Sequence, residues 1–534
     1  MSVFSQERLL FAPVSPKSDA LPIIYAFPNT YTIGITSLGY QVIWSTFAQR
    51  EDVAVSRVFT DIHESLPRHP ELFGFSVSWE LDYINILNLL ELFDIPLHSE
   101  ERCDEHPLIF GGGPVLTANP EPFAAFFDLI LLGDGEDLLP NLITTAQKVR
   151  GETRTTKLKA FAQVPGIYIP SLYKVTYESP EGNINKISAL DSTIPESVDK
   201  QTYRGNTLSA STVVTENSAW ENIYMVEVVR SCPEMCRFCL ASYLTLPFRK
   251  ASLEGSLMPA IESGLKVTNR LGLLGASVTQ HPEFENLLNY LSRPEYDDVR
   301  LSVSSVRTNT VTEKFAQILA SREAKSLTIA VESGSEKIRQ IINKKLQNEE
   351  IIQAAMNAQA GGLKALKLYG MVGIPGETEA DIDATVEMMS GIKKAAPGLK
   401  LTLGCSTFVP KSHTPFQWFG VNKDSKKRLN SLQKKLRSRG IDFRPESYNW
   451  SVIQALISRG DRRLTPLLEL TRKYGDSVGS YKRAFKELKG QLPPLEYYVH
   501  QNWKTDQILP WSHLKGPLPQ ATLEKHLAEA ISYV

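Results

Sequence analysis

Short apolar runs alternate with longer amphipathic stretches between residues 21 and 142. The apolar runs predict strands at 23–27, 55–59, 72–77, 107–110 and 128–132, and the longer stretches predict helices at 37–49 and 82–93. Strands that alternate with helices of this length indicate βαβ units around a parallel sheet. Glycines at 111–113, 133 and 135 follow strand ends, the edge where parallel sheets bind ligands, so they either hold a ligand or turn the chain.

A second alternation runs from residue 223 to about residue 416. Its apolar runs predict strands at 224–229, 271–274, 300–303, 326–331, 365–371 and 400–407. Six βα units in a row predict a partial or full TIM-like barrel. Residues 151–222 contain a predicted hairpin with its turn at 180–183 and form a connector, and residues 417–534 are rich in charged helix formers. We therefore predict an α/β domain at 1–150, a connector at 151–222, a barrel at 223–416 and a mostly helical region at 417–534.

Composition places the chain among globular proteins. Of its 534 residues, 42% are hydrophobic and 22% charged, and the net charge of −1 creates no overall field toward nucleic acid or membrane. No apolar run approaches the roughly 18 residues of a membrane helix, and the first twenty residues lack the apolar core of a signal peptide. We therefore expect a cytoplasmic protein without a membrane partner.

Three of the five cysteines, Cys232, Cys236 and Cys239, lie within eight residues directly after a predicted strand. The C-x3-C-x2-C spacing lets one loop wrap one face of an iron–sulfur cube. Three thiolates leave one iron of a [4Fe–4S] cluster open, and a catalytic metal site needs such an open position. The end of the first barrel strand is also where barrels of this kind place catalytic groups.

A structural zinc site is the alternative interpretation of the same three thiols. Zinc requires a fourth ligand, which would have to come from a distant part of the chain. The candidates are Cys103, Cys405, His281 and His413. A non-catalytic iron–sulfur or zinc module that binds RNA or another protein is the corresponding alternative function.

The cysteine segment resembles the signature C-x3-C-x-Φ-C of the radical S-adenosylmethionine (SAM) superfamily, with Phe238 at the aromatic position. The resemblance implies that the three cysteines bind a [4Fe–4S] cluster and that the open iron chelates SAM. It further implies reductive cleavage of SAM to methionine and a 5′-deoxyadenosyl radical, with electrons from a donor such as flavodoxin or ferredoxin. The substrate of that radical is not implied.

Residues that follow the successive barrel strands resemble the SAM-binding positions of the same family. Segment 273–277 (LLGAS) departs from the usual Gly-Gly-Glu pattern, so a contact to the SAM amino group there would use backbone. Each position also has an ordinary explanation, such as a strand-end hydroxyl, a surface cation or a helix-terminal charge. The implied set is Gly275 for the amino group, Ser304 and Arg307 for ribose and carboxylate, Glu332 for ribose, and Gly373 and Ile374 for adenine.

The N-terminal α/β region resembles the flavodoxin-like, cobalamin-binding-type domain that precedes many radical SAM barrels. Motifs at 73–77, 111–114 and 133–136 carry the resemblance, which extends to an uncharacterised bacterial subfamily over nearly the whole chain. Cobalamin domains with a histidine ligand carry D-x-H-x-x-G after the first strand, and segment 28–34 (PNTYTIG) contains no histidine. His63 comes after the second predicted strand, and we expect it at the surface. Cobalamin binding therefore stays open.

The number of cysteines reduces the set of candidate reactions. A methylthiotransferase needs three further cysteines for a second cluster, but only Cys103 and Cys405 remain. Methyl transfer to carbon or another C–H functionalisation stays open. Cys405 either faces the barrel interior as a hydrogen donor or packs in the sheet, and packing is the favoured alternative.

A basic run at 423–439 raises the question of an RNA substrate. Leu429, Leu432 and Leu436 recur at helical spacing, which predicts an amphipathic helix with a solvated basic face. One helix face is a small footprint for nucleic acid, so RNA is not the favoured substrate.

Overall fold

A computed structural model describes residues 2–534. Strand β1 (Arg8–Leu9) precedes the first sheet. The strands of that sheet are β2 (Leu21–Ala26), β3 (Val53–Val58), β4 (Leu72–Ser76), β5 (Leu108–Gly112), β6 (Leu129–Leu131) and β7 (Ile167–Tyr168). Their spatial order is β3-β2-β4-β5-β6-β7, and all neighbours are parallel except β7. The first five strands thus follow the flavodoxin-like order, which confirms the predicted fold class.

Helices cover this first sheet. They are α1 (Tyr31–Gly34), α2 (Leu38–Ala48), α3 (Tyr83–Leu92), α4 (Pro114–Ala118), α5 (Gly135–Lys148) and α6 (Arg154–Phe161). Packing inside the sheet is close, since a Cβ added to Gly74 would lie 2.0 Å from Cζ of Phe110. Glycine is therefore required where the Phe110 ring crosses β4.

The connector is tied to both of its neighbours. Strands β8 (Tyr173–Tyr177) and β9 (Ile184–Ala189) form the predicted antiparallel hairpin. Strand β10 (Val198–Asp199) pairs with a strand near the C-terminus, and β11 (Val213–Val214) pairs antiparallel with β1. The connector therefore holds distant parts of the chain together.

The barrel consists of two four-stranded sheets. The first contains β12 (Ile223–Arg230), β13 (Arg249–Lys250), β14 (Arg270–Gly275) and β15 (Arg300–Val303), and the second contains β16 (Ser326–Glu332), β17 (Ala365–Val372), β18 (Lys400–Thr407) and β19 (Asp442–Pro445). A parallel bridge between Val306 and Ile329 links the two sheets. All six predicted strands are present, and the neighbours in the series β12, β14, β15 and in the series β16 to β19 are parallel. Strand β19 adds a seventh parallel strand inside the region predicted to be mostly helical.

Helices lie on the outer side of the barrel strands. They are α7 (Leu240–Tyr243), α8 (Met258–Leu265), α9 (Phe284–Leu291), α10 (Glu313–Ser321), α11 (Glu336–Ile341), α12 (Asn348–Ala360), α13 (Glu379–Ala395) and α14 (Ser425–Arg437). The basic run forms α14, whose Leu429, Leu432 and Leu436 are buried in the barrel core as predicted. Part of its basic face is engaged, since Lys435 pairs with Glu379 and Asp383 of α13.

The remaining chain is mostly helical and packs against the first sheet. Its elements are α15 (Tyr448–Arg459), α16 (Thr465–Lys473), α17 (Val478–Glu487), α18 (Leu495–Val499), β20 (Leu514–Lys515), which pairs with β10, and α19 (Gln520–Ile531). The hydroxyl groups of Tyr83 in α3 and Tyr481 in α17 are 3.0 Å apart. Across residues 2–534, no helix combines the length and apolar character that crossing a membrane requires.

Candidate functional site

The cysteine loop leaves the carboxyl end of β12 and curls back on itself. Ser231 and Met235 have positive φ angles of 72° and 56°, which reverse the chain on either side of Cys232. The Ser231 Oγ and the Cys232 N–H both donate to the carbonyl of Ala241, at 2.9 and 3.1 Å. These bonds fix the loop at the catalytic end of the barrel.

The three thiols lie in a sheltered site. Cys236 is buried, and Cys232 and Cys239 are half-buried. Burial raises the pKa of the Cys236 thiol to about 12, against the opposing effect of the nearby Lys344 ammonium. Burial also raises the pKa of Cys239, while backbone N–H groups of the following turn act in the opposite direction. A cation and N–H donors around buried sulfur atoms are what bound thiolates require.

The arrangement of the thiols bears on which metal group they fit. Within residues 2–534, no three His, Cys, Asp or Glu side chains converge closely enough to bind one metal ion. A cubane places each cysteine on a different iron, so its ligands do not converge on a single point. The set of three sheltered thiols on one loop therefore fits a [4Fe–4S] cluster with one open iron.

The candidate fourth zinc ligands have other contacts. The Cys103 Sγ lies 3.2 Å from Nδ1 of His106 in an exposed loop before β5. His281 Nε2 lies 2.8 Å from the carbonyl of Ala251, and His413 is buried near Trp511. Cys405 is 2% exposed and belongs to the apolar core between the barrel strands and their helices, so it faces away from the barrel interior.

Arg307 contacts the cysteine loop itself. Its guanidinium forms an ion pair with Glu234, which stands between Cys232 and Cys236. Its Nη2 donates to the carbonyl of Lys345 at 2.8 Å, and its Nε donates to Oδ1 of Asn309 at 2.8 Å. All three nitrogens of the group expected at the SAM carboxylate are therefore engaged with protein.

Three further residues, Gln280, Ser277 and Asn343, support the part of the loop that contains Glu234. Gln280 donates to the other oxygen of the Glu234 carboxylate, and Ser277 donates to Gln280. Asn343 Nδ2 donates to the carbonyl of Met235 at 2.9 Å. Sequence reasoning missed Glu234, Gln280 and Asn343, and only the position of Glu234 inside the cysteine motif could have drawn attention to it.

The other expected SAM contacts lie at the carboxyl ends of the barrel strands. Ser304 Oγ donates to the carbonyl of Gly275 at 3.0 Å, so the two positions are adjacent. Glu332 accepts from Lys344 Nζ at 3.2 Å and has a positive φ of 65° where the β16–β17 register shifts. Such a bulge re-aims a side chain at a strand end. Phe238 is half-buried and packs against the apolar core that the first sheet shares with the C-terminal helices.

The turn after β17 is held by a buried carboxylate. Glu377 accepts from the N–H of Gly373 at 2.7 Å and from Arg428 Nη1 at 2.9 Å. Burial raises the pKa of Glu377 to about 7, and the Gly373 N–H and Arg428 oppose this rise. Ile374 is completely buried, so its side chain anchors the turn and an adenine would meet only the outer surface of the turn.

Helix α19 braces the cysteine loop from outside the barrel. Arg237, between Cys236 and Cys239, donates to Glu529 at 3.0 Å and to the carbonyl of Ile341 at 2.9 Å. The Tyr243 hydroxyl lies 2.8 Å from Nδ1 of His526. Both partners in α19 lie far along the chain from the loop, and the sequence contained no signal for these contacts.

A second candidate site is a cavity of about 230 Å³ at the carboxyl ends of β4, β5 and β6. Glycine and apolar residues form much of its lining, and the space beside Gly39 of α2 is empty to beyond 4 Å. Ser209 and Arg230 close it from the barrel side, and Arg230 stands two residues before Cys232. Its lining also includes Tyr25, Ser76, Phe110, Gly112, Gly113, Leu131, Gly133, Asp134, Gly135 and Glu136.

Ion pairs connect the wall of this cavity to the first barrel strand. Arg230 pairs with Glu227 at 2.7 Å, with Glu136 at 2.8 Å and with Asp134 at 3.5 Å. Asp134 also accepts from Arg249 of β13 at 2.5 Å. The strand that carries the cysteine loop and the predicted ligand edge of the first sheet are therefore joined by one ion-pair network.

The cavity lies at the ligand edge of a flavodoxin-like sheet, where such sheets bind their cofactors, and its glycine walls leave open space. It contains no histidine among its lining residues. His63 is exposed and bonds to the backbone carbonyl of Glu64 at 2.7 Å, as expected for a surface residue.

Comparison with known proteins adds independent information. A family model described as the radical SAM superfamily matches residues 226–389, and one described as the N-terminal part of radical SAM proteins matches residues 64–170. An uncharacterised protein of Methanocaldococcus jannaschii is 28% identical over 463 residues, which cover 86% of this chain and 93% of that protein. An uncharacterised methyltransferase of Pyrococcus horikoshii is 24% identical over 298 residues, which cover 54% of this chain and 58% of that protein.

Among solved structures, TsrM from Kitasatospora setae has a similar fold. It is a radical S-adenosylmethionine methyltransferase with cobalamin and a [4Fe–4S] cluster bound. The TM-score is 0.50 at 14% sequence identity, and the match covers 75% of this chain and 74% of that chain. The likeness supports the fold described above.

Proposed function

Because this chain belongs to the radical SAM superfamily and is a radical SAM enzyme, we propose that Cys232, Cys236 and Cys239 bind its [4Fe–4S] cluster and that its N-terminal cavity binds a cobalamin. When bound, the reduced cluster supplies one electron to the sulfonium of SAM, which splits into methionine and a 5′-deoxyadenosyl radical. The protein has to orient SAM and exclude water. An acidic electron carrier such as flavodoxin or ferredoxin is the partner we propose, in a cytoplasmic setting.

The residues near the cysteine loop divide these tasks. Ser304 and Glu332, at adjacent strand ends, are the groups that we assign to SAM, together with the backbone of Gly275 and of Gly373. Arg307 is assigned to the cysteine loop, because its donors are already engaged there. Buried Cys236 and the brace from α19 keep solvent from the cluster side of the site.

One observation carries the cobalamin part of the proposal. The cavity of the first sheet is lined on its barrel side by Arg230, which ends β12 two residues before Cys232. A corrinoid whose nucleotide tail enters this cavity would therefore lie beside the strand that carries the cluster loop. Neither the cavity lining nor segment 28–34 after the first strand contains a histidine, so we propose that a bound cobalamin would be held without a histidine of this chain.

Methyl transfer to an unidentified substrate is the reaction we favour. The P. horikoshii relative and TsrM are both described as methyltransferases. Methylthiolation is disfavoured, since Cys103 and Cys405 are too few for a second cluster and lie in separate parts of the fold.

A matched pair of variants at Gly39 tests the cobalamin site. Gly39→Leu should fill the empty space beside α2 and abolish the change in the visible spectrum when hydroxocobalamin is added, whereas Gly39→Ala should bind like the wild type. The bound Co(II) form should show no nitrogen splitting from a histidine in electron paramagnetic resonance (EPR). An unaltered spectrum at excess cobalamin for the wild-type protein would overturn this part of the proposal.

An assay of reductive SAM cleavage tests the proposal that the cluster bound by the three cysteines is catalytic. Anaerobically reconstituted protein should convert SAM to 5′-deoxyadenosine when dithionite is added, and Gly39→Leu should retain this activity. A fully loaded cluster that gives no 5′-deoxyadenosine would contradict the proposed reductive cleavage of SAM.

A further inference from the structure

The inner face of the second barrel sheet carries two side chains that the predicted SAM site does not use. On β17, Leu366 and Leu368 are buried in the core beneath the helices, whereas Lys367 and Tyr369 are exposed. Since side chains alternate along a strand and the helices cover the outer face, the exposed pair faces the barrel interior. Tyr369 is 52% exposed, which is unusual for a tyrosine inside a barrel.

Small residues surround this tyrosine. Tyr369 pairs in register with Ala330 of β16 and with Gly404 of β18. Its ring carbon Cδ1 would lie 3.6 Å from a Cβ added to Gly404, so the ring extends over the glycine. Barrel interiors of this class are normally filled by bulky branched side chains. Alanine and glycine beside Tyr369 instead leave its ring open as a flat apolar surface.

Two residues before Tyr369 on the same face, β17 carries a charged side chain that also has small neighbours. Lys367 lies between Thr328 and Thr402 in register, one step along the same face from Tyr369. Among residues 2–534, Lys367 makes no ion pair, and the nearest acidic position in its row, Asp442, is bonded to Thr402 and Arg444. The Lys367 ammonium has no counterion within the described part of the chain and lies roughly 7 Å along the strand from the open ring of Tyr369. Together the two groups can bind an anion that carries a planar group, because the ammonium pairs with the acid and the ring stacks on the plane.

We propose that the inner face of β16–β19 is the substrate site, and that the substrate is a small aromatic anion, a carboxylate or a phosphate. Its ring stacks on Tyr369 and its acid group pairs with Lys367. Tyr369 lies four residues before Gly373, so the bound ring would sit just below the turn that we assign to SAM. That the bound molecule presents a reacting carbon to SAM rests on the proposed function. The binding of an aromatic anion by Tyr369 and Lys367 does not depend on it.

Pyridoxal 5′-phosphate is a suitable probe, because it is a planar aromatic anion whose aldehyde condenses with a lysine amine to an imine and one water. Borohydride then adds hydride to the imine carbon and fixes the label for peptide mapping. The imine is formed and then fixed with borohydride in the absence of dithionite, both in the protein loaded with its cluster and in the Cys236→Ala variant. Lys345, whose side chain is exposed in the loop between α11 and α12, is the reference lysine.

We expect Lys367 to react about tenfold faster than Lys345, a ratio in the range of one good stacking contact. Tyr369→Ala should remove most of this difference and Tyr369→Phe should preserve it, because stacking needs the ring and not the hydroxyl. Naphthoate should protect Lys367, and cyclohexanecarboxylate should protect it much less. Lys345→Met should leave the Lys367 rate unchanged.

Three outcomes would overturn the proposal. Lys367 could react no faster than Lys345, Tyr369→Ala could have no effect, or SAM alone could block labelling completely, which would place Tyr369 in the SAM site. Labelling of the Cys236→Ala variant separates this test from the cluster assignment. If Lys367 is labelled equally with and without a cluster, the binding of an aromatic anion at Lys367 and Tyr369 is supported whether or not the protein cleaves SAM.

Discussion

The guanidinium of Arg307 and the carboxylate of Glu234 form an ion pair that ties the end of the third barrel strand to the middle of the cysteine loop. Each side chain is about one-seventh exposed, at 13% and 15%. Removal of one partner would leave the other charge partly buried without a counterion, which costs more than the loss of an exposed surface ion pair. The ion pair explains why a residue expected at SAM is turned toward the cluster loop.

Variants of this pair separate loop support from SAM binding. Glu234→Gln and Arg307→Lys should each lower iron retention after desalting, should lower the free energy of unfolding by about 1 kcal/mol, and should be non-additive when combined. The KM for SAM in the 5′-deoxyadenosine assay should change little in either variant. A large rise in that KM for Arg307→Lys alone would mean that Arg307 binds the SAM carboxylate after all.

Alanine variants of the three loop cysteines should all lose the cluster, whereas alanine variants of the other two cysteines should keep it. Replacement of Cys232, Cys236 or Cys239 by alanine should abolish the cluster's visible absorption and all 5′-deoxyadenosine formation. Cys103→Ala and Cys405→Ala should keep both, and Cys405→Ala should cost about 1 kcal/mol of stability because it leaves a small void in the core. Iron and sulfide analysis of all five variants measures this, and loss of the cluster in Cys405→Ala would point to a fourth ligand.

Glu377 should make the turn after β17 sensitive to pH. Burial raises its pKa from 4.5 to about 7, so the folded protein holds this proton more tightly than the unfolded chain does. The stability that this proton contributes is complete below pH 4.5 and is lost as the pH rises through 7, by up to about 3 kcal/mol. Glu377→Gln should flatten the pH dependence of the melting temperature between pH 5 and 8, and an equal slope in both proteins would refute the assignment.

Arg230 should control how firmly the first sheet holds the barrel. Arg230→Met leaves Asp134 and Glu136 with less positive charge around them, at a cost of about 3 kcal/mol for a buried network. We expect the single unfolding transition in urea to split into two and the affinity for cobalamin to fall. Arg230→Lys should show a smaller effect of the same kind. A single unshifted transition for Arg230→Met would show that the network does not hold these parts together.

Local signals predicted most of the fold. Strands 300–303 and 400–407 were predicted with their observed limits, because polar and apolar residues alternate along each of them. Helix α2 begins after Ser37, whose side chain accepts from the N–H of Tyr40, so its start was readable as a cap. Strand β19 was missed, because Asp442–Pro445 is a four-residue edge strand that contains a proline and two charges.

The support of the candidate site was much less predictable. The cysteines were readable because their chemistry lies in one short motif. Glu234 pairs with Arg307 across 73 positions by their numbering, and Tyr369 is informative only because Ala330 and Gly404 flank it in the sheet. Such relationships depend on register and packing, which a single sequence does not encode in any local pattern.

The contact of α19 with the cysteine loop also constrains how the enzyme is made. Glu529 follows Arg237 by 292 positions, so a ribosome has to extend the chain far past the barrel before the loop receives its last support. Nascent chains that have completed only the barrel would present Arg237 and Tyr243 without their partners from α19. Insertion of iron and sulfide should therefore follow translation of residues 520–531, and delivery factors would meet a nearly complete protein.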